Sequence, residues 1–149
     1  MIPLPQNQIW FTSTEAETLA VGRQLAQYLP DGAIVSLEGT LGAGKSILVR
    51  GIASGLGIDP ETVTSPTFTL WQSYHGVREL HHLDVYRLQD PAEFLDLGVE
   101  ELFQSDGLAI IEWGEKVRSV LPPDHYRVMI EIDEQTNRRI ELVPPGQQV

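Results

Sequence analysis

The segment Gly39-Thr40-Leu41-Gly42-Ala43-Gly44-Lys45-Ser46 satisfies the pattern G-x-x-x-x-G-K-[ST], a spacing suited to the phosphates of a nucleoside triphosphate. Glycine lets successive backbone N–H groups turn toward phosphate oxygens, Lys45 reaches the β- and γ-phosphates, and the Ser46 hydroxyl can ligate Mg²⁺. The metal of a bound triphosphate also needs a carboxylate, usually at the end of a strand beside the loop. Two acids have that local form. Glu112 directly follows the apolar run Leu108-Ala109-Ile110-Ile111, and Asp84 lies in Leu80-His81-His82-Leu83-Asp84-Val85-Tyr86-Arg87, where period-two geometry puts His82, Asp84 and Tyr86 on one face. Plainer readings stand beside both: a strand-end carboxylate in solvent for Glu112, and an ion pair with Arg87 or another cation for Asp84.

Other residues could join this chemistry. His81 and His82 suggest a transition-metal site, but only Asp84 is near them and the chain has no cysteine, so packing or hydrogen bonding is favoured. Ser65-Pro66-Thr67-Phe68 either holds a hydroxyl that senses the γ-phosphate or is a proline turn before a strand. Trp113, next to Glu112, either packs against the nucleotide loop or fills core.

These residues need elements to hold them. Ala33 to Leu37 reads as a buried strand before the loop, and Lys45 onward reads as a helix with Leu48, Ile52 and Leu56 on one face. The helix N-terminus adds its partial positive charge to the phosphate site. Thr14-Glu15-Ala16-Glu17 has the form of a capping box and starts an earlier helix after the apolar run Ile9-Trp10-Phe11; Pro30-Asp31-Gly32 stops it. Phe68 to Tyr74 and Leu80 to Leu88 read as a hairpin. Asp90-Pro91-Ala92-Glu93 starts another helix, carrying Phe94, Leu95 and Leu97 and breaking near Gly98. Leu108 to Ile111 is a second buried, parallel-type strand, followed by a short helical piece. The alternation at Tyr126, Val128, Ile130 and Ile132, repeated at Ile140 and Leu142, predicts a terminal antiparallel hairpin. The result is a three-layer α/β domain over residues 1–143, its sheet parallel at the loop and antiparallel at the edge, with a disordered tail at 144–149.

Composition bounds the function. The 149 residues suit one domain, and ten Lys plus Arg against 21 Asp plus Glu give a formal charge of −11. The basic residues are scattered, which disfavours autonomous binding to a nucleic-acid backbone. There is no disulfide framework, no signal-like N-terminus and no apolar run of membrane-spanning length, so a cytoplasmic location is expected with no membrane partner.

Four segments together resemble the TsaE family, the small ATPases of bacterial tRNA threonylcarbamoyladenosine biosynthesis. They are Leu37 to Ser46, Val63-Thr64-Ser65-Pro66-Thr67-Phe68-Thr69-Leu70, His82-Leu83-Asp84-Val85-Tyr86-Arg87-Leu88, and Ile111-Glu112-Trp113. The resemblance covers nearly the whole chain. It implies an NTPase-like fold that binds ATP and Mg²⁺, hydrolyses ATP weakly alone, and acts with the TsaD-TsaB pair. That pair transfers threonylcarbamoyl to the adenosine beside the anticodon in tRNAs reading codons that begin with A.

By that likeness Gly39, Leu41, Gly42, Ala43, Gly44, Lys45, Ser46 and Ile47 hold the phosphates. Ser46 and Glu112 hold Mg²⁺, and Asp84 is a second essential acid, reaching the metal directly or through water or else orienting the attacking water. The likeness also puts Thr67 in a switch-like segment and Trp113 against the nucleotide site. Thr14, Thr18 and Arg138 are candidates for contacts to the base. Thr40 stands where the family usually has Asp, and Ser46 where Thr is commoner. The only lysines are Lys45 and Lys116, so no Asn-Lys-x-Asp motif specifies guanine, in agreement with ATP. Two other classes remain open on the residues alone: a small-molecule kinase using the same loop, and a non-catalytic adaptor whose surface ATP holds in shape.

Overall fold

The buried strand expected before the phosphate loop forms as β2, Ile34–Glu38, and all five of its residues are buried. In the computed structural model, which describes residues 7–40, 42–64 and 70–146, β2 is the middle strand of a seven-stranded sheet. The others are β1 (Gln8–Thr12), β3 (Trp71–Tyr74), β4 (Leu80–Asp84), β5 (Leu108–Glu112), β6 (Tyr126–Ile132) and β7 (Arg138–Val143), in the spatial order β1-β7-β6-β2-β5-β4-β3. β2 pairs in parallel with β5 and β6, and β4 with β5. The pairs β1 with β7, β6 with β7, and β3 with β4 are antiparallel. The parallel centre and antiparallel edges follow the sequence reading. The centre is wider than expected because β6, read only as half of a hairpin, lies parallel to β2.

Helices cover both faces. On one, α1 (Glu15–Tyr28) and α2 (Lys45–Gly55) bury Val21, Leu25, Leu48 and Ile52 against Val35, Leu37 and Ile110. The capping box holds α1: Thr14 Oγ1 accepts from Glu17 N at 3.1 Å, while the Glu17 carboxylate reaches back to Ser13 N at 2.9 Å. Glycine lets α1 and α2 touch, since a Cβ on Gly22 would stand 2.6 Å from Leu48 O. On the other face α3 (Pro91–Leu95), α4 (Val99–Phe103) and a 3-10 helix over Gly114–Val120 bury Phe94, Val99, Leu102 and Val117 against Leu83, Ala109 and Ile111.

Several boundaries differ from expectation. β4 ends at Asp84 rather than Leu88, because Asp84 Oδ1 accepts from Tyr86 N at 2.9 Å and closes the strand with an Asx turn. Tyr86 therefore leaves the strand face it was expected to share with His82 and Asp84. Within the described residues β3 begins at Trp71; Phe68 and Thr69 lie outside them. The helix begun at Asp90 stops after five residues, and a separate α4 follows Gly98, whose φ of 82° no ordinary side chain adopts easily. Pro144 is buried and residues 145–146 form a turn; residues 147–149 of the expected tail lie outside the described residues.

Candidate functional site

β2 delivers the chain into the phosphate loop, and the loop delivers it into α2. At the first of these joints a Cβ on Gly39 would stand 2.5 Å from Ile130 O on β6, so only glycine fits. At the second, Gly44 caps α2 with φ 108° and no side-chain hydrogen bond. The first N–H groups of α2 are thus left for an anion. Gly42 (φ 81°), Gly44, Lys45, Ser46 and Ile47 line a cavity of about 300 Å³. Asp84, Glu112, Trp113 and Arg138 complete its walls. Ala43 is buried behind the loop; Leu41 lies outside the described residues.

Pairing explains why the two acids meet. Asp84 at the end of β4 is the register partner of Glu112 at the end of β5, and Leu37 is the partner of Glu112 on the other side. Leu80, His82 and Asp84 alternate onto the α2 face, as do Leu108, Ile110 and Glu112. Among the described residues Asp84 makes no ion pair with Arg87. Loss of solvation and the neighbouring charge of Glu112 raise its pKa, against the Tyr86 N–H, His82 and Lys45.

Lys45 is buried, its ammonium donating to Gly39 O at 2.7 Å and standing 3.4 Å from the centre of the Trp113 ring. Burial lowers its pKa, while Glu112, Glu115 and Asp84 pull it upward. Trp113 also packs against Tyr86, ring centres 4.9 Å apart. It holds a left-handed backbone (φ 63°, ψ 31°), rare for a bulky residue, between β5 and the Gly114–Val120 helix. Its N–H donates to Leu37 O at 3.0 Å, and Gly114 seats the turn on Ser36, where a Cβ would come within 2.1 Å of the hydroxyl.

The donor set fits Mg²⁺. Ser46, Asp84 and Glu112 offer hard oxygens to one cavity, and two neighbouring carboxylates, one with a raised pKa, favour a dication between them. Among the described residues no three His, Cys, Asp or Glu converge on a metal. The histidines do other work: His82 Nε2 donates to Glu112 Oε2 at 2.6 Å, and His81 Nδ1 lies 2.8 Å from Ser73 Oγ.

Arg138 reaches from β7 to donate from Nε to Ala43 O at 2.9 Å. It also lines a second cavity of about 270 Å³ with Phe11 and Ile132. The Thr14 hydroxyl is committed to its helix cap and lines neither cavity, and Thr18 is buried with Oγ1 2.8 Å from Thr12 Oγ1. Thr67 lies outside the described residues.

Sequence reasoning missed Glu38, at the end of β2. Its carboxylate takes two bonds from Arg127 (3.0 and 3.1 Å), two from Arg118 (2.9 and 3.0 Å) and one from Ser36 Oγ (2.8 Å). Burial pushes its pKa up, but these bonds outweigh burial and hold it below the ordinary value.

The model of the family described as "Threonylcarbamoyl adenosine biosynthesis protein TsaE" matches residues 12–140 of the chain. The chain belongs to the TsaE family. TsaE relatives named "tRNA threonylcarbamoyladenosine biosynthesis protein TsaE" include one from Treponema pallidum, 43% identical over 126 residues, which are 85% of this chain and 93% of that protein. Another, from Bacillus subtilis, is 38% identical over 138 residues, 92% of this chain and 85% of its own. The crystal structure of Bacillus subtilis YdiB superposes with a TM-score of 0.79 at 32% identity, covering 95% of this chain and 87% of that one. The TsaE fold seen here is thus the α/β sheet with a phosphate loop that the sequence implied, and no helix among the described residues is long and apolar enough to cross a membrane.

Proposed function

We propose that this chain is a Mg²⁺-dependent ATP-binding protein with weak ATPase activity that serves tRNA threonylcarbamoyladenosine formation in the cytoplasm as a nucleotide switch on a TsaD-TsaB complex. One observation carries the reading: the loop, Lys45, Ser46, Asp84 and Glu112 all line the same 300 Å³ cavity. Family membership supplies the process.

The loop N–H groups and the N-terminus of α2 bind the β- and γ-phosphates, and Lys45 leaves Gly39 O and the Trp113 ring to meet them. Ser46 and Glu112 hold Mg²⁺, with Asp84 beside them as metal partner or orienter of the attacking water. Bound Mg²⁺ supplies charge neutralisation across the phosphate oxygens. Arg138 directs the nucleoside toward the cavity walled by Phe11 and Ile132, and Thr67 senses the γ-phosphate. The chain's own cations at the site are few, so fast turnover is left to the partner complex. An acidic surface agrees with that division of labour, the partners holding the tRNA.

The test measures ATP hydrolysis with and without TsaD-TsaB. Lys45→Ala should abolish nucleotide binding, and Glu112→Ala should retain binding while turnover falls on the order of 100-fold. Full tRNA modification by either variant in a reconstituted system would defeat the switch. Transfer of labelled γ-phosphate to a metabolite instead of water would defeat the ATPase reading in favour of a kinase.

A further inference from the structure

We infer that His82 is a positioning residue that fixes the carboxylate of Glu112 for its metal. The inference rests on the reading of Glu112 as a Mg²⁺ ligand. His82 is 2% exposed and Glu112 is 4% exposed, and the 2.6 Å contact between His82 Nε2 and Glu112 Oε2 is the one polar bond of the ring within the described structure. A carboxylate only accepts, so Nε2 carries the proton. Nδ1 is buried and reaches no partner among the described residues, so Nε2 is the ring's one polar contact. A histidine kept for packing would be better replaced by an apolar side chain, because an unpaired ring nitrogen disfavours the folded state. What the ring does provide is a single donor aimed at a single oxygen.

That donor has a geometric consequence. Oε2 is taken by His82, so Oε1 is the oxygen left for the cavity shared with Ser46 and Asp84. β-register fixes the arrangement: His82 pairs with Ile110 and Asp84 with Glu112, so the imidazole comes from the position two residues before Asp84 on the same strand face. Without the donor, Glu112 would turn freely beside the like charge of Asp84. Hydrogen-bond partners that orient ligating carboxylates in this way alter metal affinity without touching metal.

The experiment measures the affinity of a non-hydrolysable ATP analogue by calorimetry in EDTA and in saturating Mg²⁺; the ratio reports metal coupling. Glu112→Gln should bring the ratio close to one. His82→Asn, whose amide is too short to reach Glu112, and His82→Leu should each cut it at least about tenfold. His82→Gln puts an amide donor at the level of Nε2 and should keep the ratio within about twofold of the parent. Affinity in EDTA should hardly move in the His82 variants, and circular dichroism with melting curves reports folding. If Glu112→Gln leaves the ratio intact, Glu112 is not a metal ligand and the functional reading itself fails. If Glu112→Gln collapses it while His82→Asn and His82→Leu do not, His82 does no positioning. A His82→Gln ratio as poor as that of His82→Leu means that ring shape matters and not the donor, and it too overturns the inference.

Discussion

Two sets of acids, Glu112 and Glu38 buried and Asp84 half-buried, stand at the carboxyl ends of neighbouring strands and face opposite sides of one sheet. On the α2 face Asp84 and Glu112 share a cavity with Lys45 and Arg138, neither of which is salt-bridged to them, and with one histidine donor; Asp84 has a raised pKa. On the other face Glu38 is matched by two guanidinium groups and a hydroxyl, and its pKa is lowered. Burial opposes charge in both. The difference is whether the chain supplies the counter-charge itself or leaves it to a ligand, and a carboxylate left short of cations is the kind that binds one.

Swapping each acid for its amide tests that contrast most directly. Glu112→Gln should lower ATP turnover on the order of 100-fold with little loss of stability, since no fully compensated ion pair is broken. Glu38→Gln leaves Arg127 and Arg118 facing a neutral amide. Arg127 is largely buried and Arg118 is half-exposed, so the cost lies between that of buried and surface pairs, roughly 2–4 kcal/mol. For a chain of this length that lowers the melting temperature by roughly 5–15 °C, with ATP binding by the folded fraction little changed. Calorimetric melting and an ATPase assay on both variants read the outcome, and a reversed pattern would erase the distinction between the clusters.

The asymmetry also explains what was legible in the sequence. The loop, Asp84 and Glu112 were readable because each carries its signal locally: a fixed spacing, or an acid ending an apolar run. The Glu38 network has no such signal, since its arginines lie 80 and 89 residues away and meet it only when the Gly114–Val120 helix and β6 fold against β2. The same limit applies to β6, whose alternation shows a strand but not that it pairs in parallel with β2. At Thr14 the capping box is a local signal, whereas the base contact came only with the family resemblance, and the hydroxyl accepts from Glu17 N at the cap. Asp84 shows a third limit: a strand pattern ran through Leu88, but the Asp84 side chain itself ends the strand by accepting from Tyr86 N.

Acid titration should split the clusters by sign. The pKa of Glu38 is lower in the folded state, so its stabilising contribution is present above the ordinary glutamate pKa and is lost as pH falls through the depressed one. The pKa of Asp84 is raised, so folding favours its protonated form; that contribution is present below the ordinary aspartate pKa and vanishes as pH rises through the folded value. At neutral pH the Asp84 charge therefore works against the fold. Asp84→Asn should raise the melting temperature at pH 7 while depressing turnover, the trade of activity for stability common at functional sites. The gain should disappear near pH 4. If the variant melts lower at pH 7, Asp84 is already compensated in the free protein and the contrast with Glu38 is lost.

Thr40 gives the smallest effect and lies nearest the boundary between the two sets. It is an exposed loop residue lining a cavity of about 570 Å³ together with Glu38, Glu115, Glu131 and Trp113, and Trp113 also lines the phosphate cavity. Restoring the acid that is usual in the family, Thr40→Asp, adds one more negative charge to a wall that already has three carboxylates and stands beside the loop proposed to hold phosphate. Exposure keeps the effective dielectric high, so the repulsion of a triphosphate should be modest, about two- to threefold in ATP affinity at low salt. Because the interaction is a screened surface one, it should fade at 0.5 M salt, where the Debye length is roughly 4 Å. Mg²⁺-ATP titrations at both ionic strengths measure it. A loss of tenfold or more that resists salt would mean that position 40 reaches the phosphates directly, and the two acid sets would then act on the nucleotide together rather than apart.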